Sequence, residues 1–183
     1  MNFVDENTLF EIISGCKNHN SKAQHHLYEI YAKRMTALCY RYCNDYEAAR
    51  DLMHDGFIRV FSHIEEYSGT GNFEGWLKKV FVNMALDKLR RTDALKEAAN
   101  VLDLENFLYE KDPDFTEKID ISDIMQAISE LPVMARTVFN MYNIDGYPLE
   151  NIAKELNMTA TAVRSQHARA KQKLQAVLRK RFL

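Results

Sequence analysis

Apolar residues recur at helical spacing along residues 49–64, and this pattern constrains the fold more than any other feature of the sequence. The stripe consists of Ala49, Leu52, Met53, Gly56, Phe57, Val60, Phe61 and Ile64. A continuous stripe at this period is typical of an amphipathic helix that buries one face. Gly and Pro are scarce, 6 and 3 in 183 residues, whereas strand-rich proteins need many turns. The sequence therefore predicts an all-α fold.

Further helices are predicted on both sides of this stripe. Two are expected before it, over 8–17 and 21–42. The second has Asn20 or Ser21 as its N-cap. A loop with two glycines follows the stripe, and Asn72 is expected to cap the next helix. The apolar face of that helix is formed by Phe73, Trp76, Leu77, Val80, Phe81 and Met84. Four helices with short connections predict one compact domain over residues 1–91.

Charge divides the rest of the chain, although the net formal charge is only −2. The net charge is 0 over residues 1–91, −7 over 92–126, −2 over 127–159 and +7 over 160–183. The acidic stretch is weakly periodic and contains Pro113, so residues 92–123 are predicted to be a linker. A second small helical domain is expected over 124–183. Its basic end indicates contact with nucleic acid, whereas a solvated face is the alternative interpretation of the acidic middle.

The second domain has the spacing of a helix-turn-helix motif. A short first helix, with the apolar residues Leu149, Ile152, Ala153 and Leu156, is preceded by helices near 124–130 and 132–142. Ala153 is small enough for two helices to cross closely, and Asn157 tolerates a left-handed turn. Thr159 is expected to cap the basic terminal helix, and Val163 to anchor it. The alternative is an ordinary helical hairpin with a basic solvent face.

The terminal helix of such a motif lies in a major groove of DNA with its N-terminal part on base edges. The candidates for base contacts are Arg164, Ser165, Gln166 and Arg169. The candidates for phosphate contacts are Lys171, Lys173, Arg179, Lys180 and Arg181.

Other functional classes have weaker support in the sequence. The chain has three cysteines, Cys16, Cys39 and Cys43. We expect them to be buried or half-buried thiols, with no metal or cofactor bound. The sequence leaves any redox role open. Asp51 and Asp55 share a helix but lack a converging catalytic partner, so no enzyme is expected. No apolar run has the roughly 18 residues of a membrane span, and no secretion signal is evident, so a cytoplasmic protein is expected.

Two blocks of the sequence resemble bacterial sigma factors of the extracytoplasmic-function (ECF) group, compact two-domain members of the sigma-70 family. Residues 47–91 resemble the family's region 2 and residues 131–174 its region 4, in the family's order. The resemblance implies a factor that binds core RNA polymerase, directs it to promoters through their −35 and −10 elements, and assists promoter melting. It implies the clamp coiled coil of the largest polymerase subunit and promoter DNA as partners, and it allows for an anti-sigma factor.

The resemblance also implies roles for particular residues. Core polymerase would contact Asp51, Leu52, His54, Asp55, Phe57, Ile58 and Arg59. The −10 element would contact Tyr67, Ser68, Gly69, Thr70, Gly71, Asn72, Phe73, Lys79 and Asn83, with Lys88, Arg90 and Arg91 near phosphates. The −35 element would contact Arg164, Ser165, Gln166, Arg169, Lys171 and Lys173. Many members have Gln near the position of His54 on the polymerase-binding helix. Many also have Arg at the position of Gln166 and an aromatic residue or His at Ala168, so the −35 sequence of better-known members does not transfer.

Elementary physics agrees with the −10 assignment. Promoter melting needs a pocket for an extruded base, and unstacking that base costs a few kcal/mol. A loop with Gly and Ser lets backbone groups approach the base, and aromatic and basic side chains suit single-stranded DNA. Trp76 lies on the apolar stripe and is expected to pack in the core.

The alternative function is a stand-alone helix-turn-helix regulator. It accounts for the second domain but not for the first, with its loop and aromatic helix. Such regulators commonly bind duplex half-sites as dimers without polymerase. Specific duplex binding by the isolated protein would therefore favour this alternative.

Overall fold

The computed structural model describes residues 5–92 and 121–182. The helices are α1 (Glu6–Lys17), α2 (Ser21–Cys43), α3 (Tyr46–His63), α4 (Phe73–Arg91), α5 (Ile121–Ser129), α6 (Val133–Phe139), α7 (Leu149–Glu155) and α8 (Ala160–Phe182). A 3-10 turn at Ile64–Glu66 follows α3, and a π turn at Asn140–Ile144 follows α6. The predicted all-α fold is confirmed. The chain divides into two compact units, unit 1 (Met1–Lys88) and unit 2 (Leu89–Leu183).

Polar caps define the first helices of unit 1. The Asp5 carboxylate accepts a hydrogen bond from the Thr8 backbone N–H at 3.0 Å and begins α1. The N-cap of α2 is Asn20 rather than Ser21, since the Asn20 side chain accepts from two backbone N–H groups at 2.9 and 3.2 Å. At the other end of α2, Asn44 adopts a left-handed φ of 55°, and Asp45 caps α3. These short polar residues stop one helix and start the next.

The predicted stripe of α3 forms much of the core of unit 1. The buried members are Ala49, Leu52, Met53, Gly56, Phe57, Val60 and Ile64, while Phe61 is half-buried. Gly56 marks a close approach to α4, because a Cβ atom there would lie 2.1 Å from Cε1 of Phe81. The Phe57 and Phe81 rings meet edge to face, with centroids 5.4 Å apart. Aromatic packing, together with the absence of a side chain at Gly56, therefore allows α3 and α4 to pack closely.

Unit 2 has its own core. The buried cluster consists of Ala127, Ile128, Leu131, Ala135, Ala170 and Leu174. The Arg136 side chain is also buried, and its Nη1 donates to the carbonyls of Ser129 and Leu131 at 3.3 and 3.1 Å. This guanidinium satisfies carbonyls at the C-terminal end of α5, where a positive charge is favourable.

The start of unit 2's first described helix differs from the prediction. We expected the linker to run to residue 123, but α5 begins at Ile121. The helix predicted over 132–142 is shorter, because α6 ends at Phe139 and the chain continues as a π turn. Most of the predicted linker, residues 93–120, lies outside the described residues.

The thiols are buried or half-buried, as predicted. Burial raises the pKa of Cys16 to about 11 and that of Cys39 to about 12, and Cys43 is half-buried. In residues 5–92 and 121–182, no cluster of three or more His, Cys, Asp or Glu side chains is arranged to hold a metal ion. Among the same residues, no helix is long and apolar enough to cross a membrane.

Candidate DNA-binding and polymerase-binding surfaces

The helix-turn-helix turn between α7 and α8 has the predicted geometry. Asn157 adopts a φ of 52°, in the left-handed region. The Met158 N–H donates to the Ala153 carbonyl at 2.8 Å, which closes the end of α7. Thr159 caps α8 by accepting from the Ala162 N–H at 3.1 Å. The crossing residue Ala153 and the anchor Val163 are both buried. The chain is thus directed from a short helix into a long basic one.

Burial separates α8 into an inner and an outer face. The inner face consists of Val163, Gln166, Ala170 and Leu174. Arg164, Lys171 and Lys173 are exposed, and Ser165 and Arg169 are half-buried. Only 4% of the Gln166 surface is exposed, so this conformation does not present its side chain to a base edge, and the predicted contact stays a prediction. Gln166 follows Val163 by three residues, so helical periodicity carries it to the inner face.

His167 joins α8 to the π turn, a contact that the sequence did not predict. Its Nε2 lies 2.8 Å from Oδ1 of Asn143. The Tyr142 ring meets the imidazole at a centroid distance of 4.8 Å, and the Phe139 ring stacks at 6.4 Å. Burial, and then the charge of Lys171, lowers the pKa of His167 below 6.5. The imidazole is therefore neutral at physiological pH.

This environment predicts a pH-dependent stability for unit 2. The unfolded chain takes up a proton at pH about 6.5, whereas folded unit 2 resists it, so unit 2 should lose stability as the pH falls through and below that value. His167 is the one histidine of residues 89–183. We expect His167→Gln to reduce the slope of stability against pH in this window. An NMR titration of the imidazole should give a pKa below 6.5. A midpoint at or above the unfolded value would contradict the assignment.

The loop between the 3-10 turn and α4 is held by the side chains at its ends. The Tyr67 hydroxyl donates to the Gly71 carbonyl at 2.7 Å, so it bridges the loop. The Tyr67 ring packs against Phe73 at 5.2 Å and Trp76 at 5.7 Å. Asn72 caps α4 by accepting from the Glu74 N–H at 2.9 Å, as predicted.

Two aromatic residues predicted to contact the −10 element are buried. Phe73 is 3% exposed and Tyr67 is 7% exposed. Neither ring can stack on a base without leaving the core, and the predicted direct contacts of both residues stay predictions. Both rings instead pack in the core and support the loop from its inner side. Trp76 is half-buried against them, close to its predicted place in the core.

The outer side of the loop presents small polar groups. Ser68, Gly69, Thr70, Gly71 and Asn72 are all exposed. The Ser68 and Thr70 hydroxyls lie 2.7 Å apart. Gly69 and Gly71 adopt φ values of 81° and 82°, a region that other L-residues rarely reach. The loop backbone is therefore open to a ligand at close range.

The basic residues of α4 differ in their exposure and contacts. Lys79, Arg90 and Arg91 are exposed. The half-buried Lys88 ammonium donates to the Ala48 carbonyl at 3.1 Å, and its predicted phosphate contact stays a prediction. Asn83 is half-buried, and its Oδ1 has no hydrogen-bond partner within the part of the chain that the structure describes. An unsatisfied buried acceptor of this kind is uncommon.

Helix α3 exposes five of its seven predicted polymerase-binding residues. These are Asp51, His54, Asp55, Ile58 and Arg59. Ile58 is 66% exposed, which is unusual for its size. Leu52 and Phe57 are 5% and 3% exposed, so they do not form part of the exposed face, and their predicted contacts with polymerase stay predictions. Both lie on the apolar stripe, whose place in the core excludes them from the outer face.

The fold and these surfaces define a helical DNA-binding protein with a helix-turn-helix unit. Two family models match it: Sigma-70 region 2 over residues 27–94, and Sigma-70, region 4 over residues 121–174. The chain belongs to the sigma-70 family of RNA polymerase sigma factors, in its ECF group.

Individual relatives agree with this membership. The ECF RNA polymerase sigma factor SigE of Mycolicibacterium smegmatis is 32% identical over 154 residues, which cover 82% of this chain and 59% of that protein. SigW of Bacillus subtilis is 26% identical over 165 residues, covering 82% and 86%. Among solved structures, the sigma factor RpoE of Bartonella quintana, in complex with the anti-sigma factor NepR, shares the fold. Its TM-score is 0.54 at 17% identity, covering 85% of this chain and 96% of that chain.

Proposed function

We propose that this protein binds core RNA polymerase, directs it to promoters by reading the −35 and −10 elements, and assists promoter melting. The observation that carries this proposal is the occurrence of both family regions, in order, in one chain. Each of the two units presents an exposed polar surface suited to a different part of a promoter. A stand-alone regulator would have no use for the loop and exposed helix of unit 1.

The −35 element is assigned to the outer face of α8. Arg164 and Ser165 lie near the N-terminal end of that helix, and Lys171 and Lys173 are exposed further along it. An Arg can make a bidentate contact with O6 and N7 of guanine, whereas Lys side chains suit phosphates. Gln166 is not part of this surface, so Arg164 is the principal candidate for base reading.

The −10 element is assigned to the exposed backbone and hydroxyls of residues 68–72, together with Lys79 and Asn83. Extruding a base costs a few kcal/mol, which contacts to the released base must offset. A loop that is already held in shape loses less entropy when it binds. Asn83 is half-buried, and its amide can donate to or accept from a base edge once the side chain turns outward. Tyr67 and Phe73 contribute by support rather than by stacking.

Core polymerase is assigned to the exposed face of α3. The combination of Asp51, Asp55 and Ile58 offers negative charge beside an exposed apolar side chain. Interfaces of this type combine apolar contact with charges that set orientation. His54 also lies on this face, where its ring is parallel to that of Tyr28 at 6.1 Å.

The proposal is tested by run-off transcription with purified core polymerase on a library of promoter fragments. Initiation should require the protein and should depend on two spaced elements. If core polymerase is unaffected while the protein alone retards a specific duplex, the protein is a stand-alone regulator instead.

Reversing one charge on α3 should separate polymerase binding from folding. Asp55 is exposed, so Asp55→Arg should leave the fold intact while weakening binding to core polymerase about tenfold, as expected for a like-charge contact at an interface. Glu11→Arg, an equal charge reversal at an exposed position of α1, is the matched control. Affinity is measured by fluorescence titration of labelled protein with core. Equal affinities for the two variants would move the interface away from Asp55.

The proposal includes the protein's setting and regulation. We place the protein in the cytoplasm, where core polymerase and promoter DNA meet, and assign it no catalytic activity. An anti-sigma factor is a proposed further partner, supported by the structure of RpoE with NepR. A partner of this class would compete with core polymerase, and a competition titration with the purified candidate tests that relation.

A further inference from the structure

A lysine of α1 is tied to the beginning of the loop at residues 67–72. The Lys17 ammonium donates to the Tyr67 carbonyl at 2.6 Å in a partly buried setting. The same Nζ lies 5.8 Å from the centroid of the Tyr67 ring. Lys17 therefore contacts both the backbone and the side chain of a residue 50 positions away. Hydrogen bonds from a charged donor are stronger than neutral ones.

Tyr67 in turn restrains the rest of the loop. Its hydroxyl donates to the Gly71 carbonyl, and its ring rests on Phe73 and Trp76. Lys17 holds the backbone where the loop begins, and the Tyr67 hydroxyl holds it near its end. Between these two points, a Cβ atom on Gly69 would have nothing within 4 Å, and the loop is held locally by the contact between the Ser68 and Thr70 hydroxyls.

A simpler role for Lys17 would be to neutralise the C-terminal end of its own helix. Lys17 is the last residue of α1, where a positive charge is favourable. That role needs no particular partner, whereas the observed ammonium is directed to a carbonyl of another element. The contact of the Lys17 ammonium with the Tyr67 ring also indicates a specific interaction between these two residues.

We propose that Lys17 is a positioning residue that holds the 67–72 loop in the conformation that binds the −10 element. This inference rests on the proposed function, because it concerns how the −10 surface is shaped. Lys17 need not touch DNA. Glycines without packing neighbours would otherwise sample many conformations, and ordering them on binding would reduce affinity.

The test compares four proteins: wild type, Lys17→Met, Lys17→Arg and Lys33→Met. Met keeps the apolar stem and removes the donor, while Arg restores a charged donor. Lys33 is an exposed lysine of α2 and provides the matched control. Each protein is combined with core polymerase, and initiation is measured on promoters with single-base changes in either element. In the free proteins, acrylamide quenching of Trp76, the chain's one tryptophan, reports the packing around Tyr67.

We expect Lys17→Met to reduce discrimination among −10 variants about tenfold, the usual scale for losing a hydrogen bond to a charged group. Discrimination among −35 variants should be unchanged, Trp76 quenching should rise, and Lys17→Arg should recover both properties. Lys33→Met should match wild type.

Unchanged −10 discrimination in a folded Lys17→Met protein would overturn the inference. Equal losses at both elements, together with a lower unfolding midpoint, would also overturn it by making Lys17 a general stabiliser. If Lys17→Met does not fold, Lys17→Gln is judged by the same criteria. If wild type fails to direct core polymerase, the proposed function fails, whereas Trp76 quenching still decides whether Lys17 holds the loop.

Discussion

Gly56→Ala should lower the free energy of unfolding of unit 1 by about 1–3 kcal/mol, because it overpacks the crossing of α3 and α4. The new Cβ atom would lie 2.1, 2.6 and 2.7 Å from three ring atoms of Phe81. Phe81 is fully buried and packs edge to face on Phe57, so its ring has no free volume to enter. Denaturation followed by Trp76 fluorescence measures this loss, since Trp76 lies in unit 1.

Gly75→Ala in α4 is the matched control. A Cβ atom at Gly75 would come no closer than 3.9 Å to another residue, and the site is exposed. Gly75 lies in the first turn of α4, and replacing a glycine there should stabilise unit 1 by up to roughly 0.5–1 kcal/mol. The opposite signs of the two substitutions separate steric overlap from helix propensity. If Gly56→Ala were also stabilising, the close approach of the two helices would be contradicted.

Arg164→Ala should reduce promoter recognition by about 1–3 kcal/mol and alter the preference at one base pair of the −35 element. Arg164 is exposed near the N-terminal end of α8, where a recognition helix contacts base edges. The measurement is initiation by the complex with core polymerase on every single-base variant of the −35 element. An unchanged preference across all of these variants would remove Arg164 from base reading.

Lys173→Ala provides the comparison for a phosphate contact. Lys173 is exposed on the same helix, nine residues beyond Arg164. Its loss should weaken binding about equally for all sequences and reduce the salt dependence by about one counterion. Together the two variants distinguish sequence reading from charge attraction.

Local features of the fold could be predicted because they depend on neighbouring residues. The periodic stripe of α3, the caps Asn20, Asn72 and Thr159, and the turn at Asn157 all have this origin. The start of α5 was missed because we placed that boundary by charge. Ile121, Ile124, Met125 and Ile128 already continue a helical spacing.

Motif resemblance identifies segments rather than helix faces, so it did not indicate which residues of the candidate surfaces are buried. Gln166, Leu52 and Phe57 belong to matching segments, yet each lies on the buried side of its helix. Helical phase relative to Val163 or to the α3 stripe indicates that these side chains face inward. The ties from Lys17 to Tyr67 and from His167 to Asn143 had no comparable signal, since they join residues distant in sequence.

The buried thiols of unit 1 can report the transient opening of that unit. Cys16 and Cys39 have raised pKa values and little access to reagents, so they should react only when unit 1 opens. Half-buried Cys43 offers a reference in the same unit, and residues 89–183 contain no cysteine. Timed alkylation of the unmodified protein would therefore measure how often unit 1 opens, without a signal from residues 89–183.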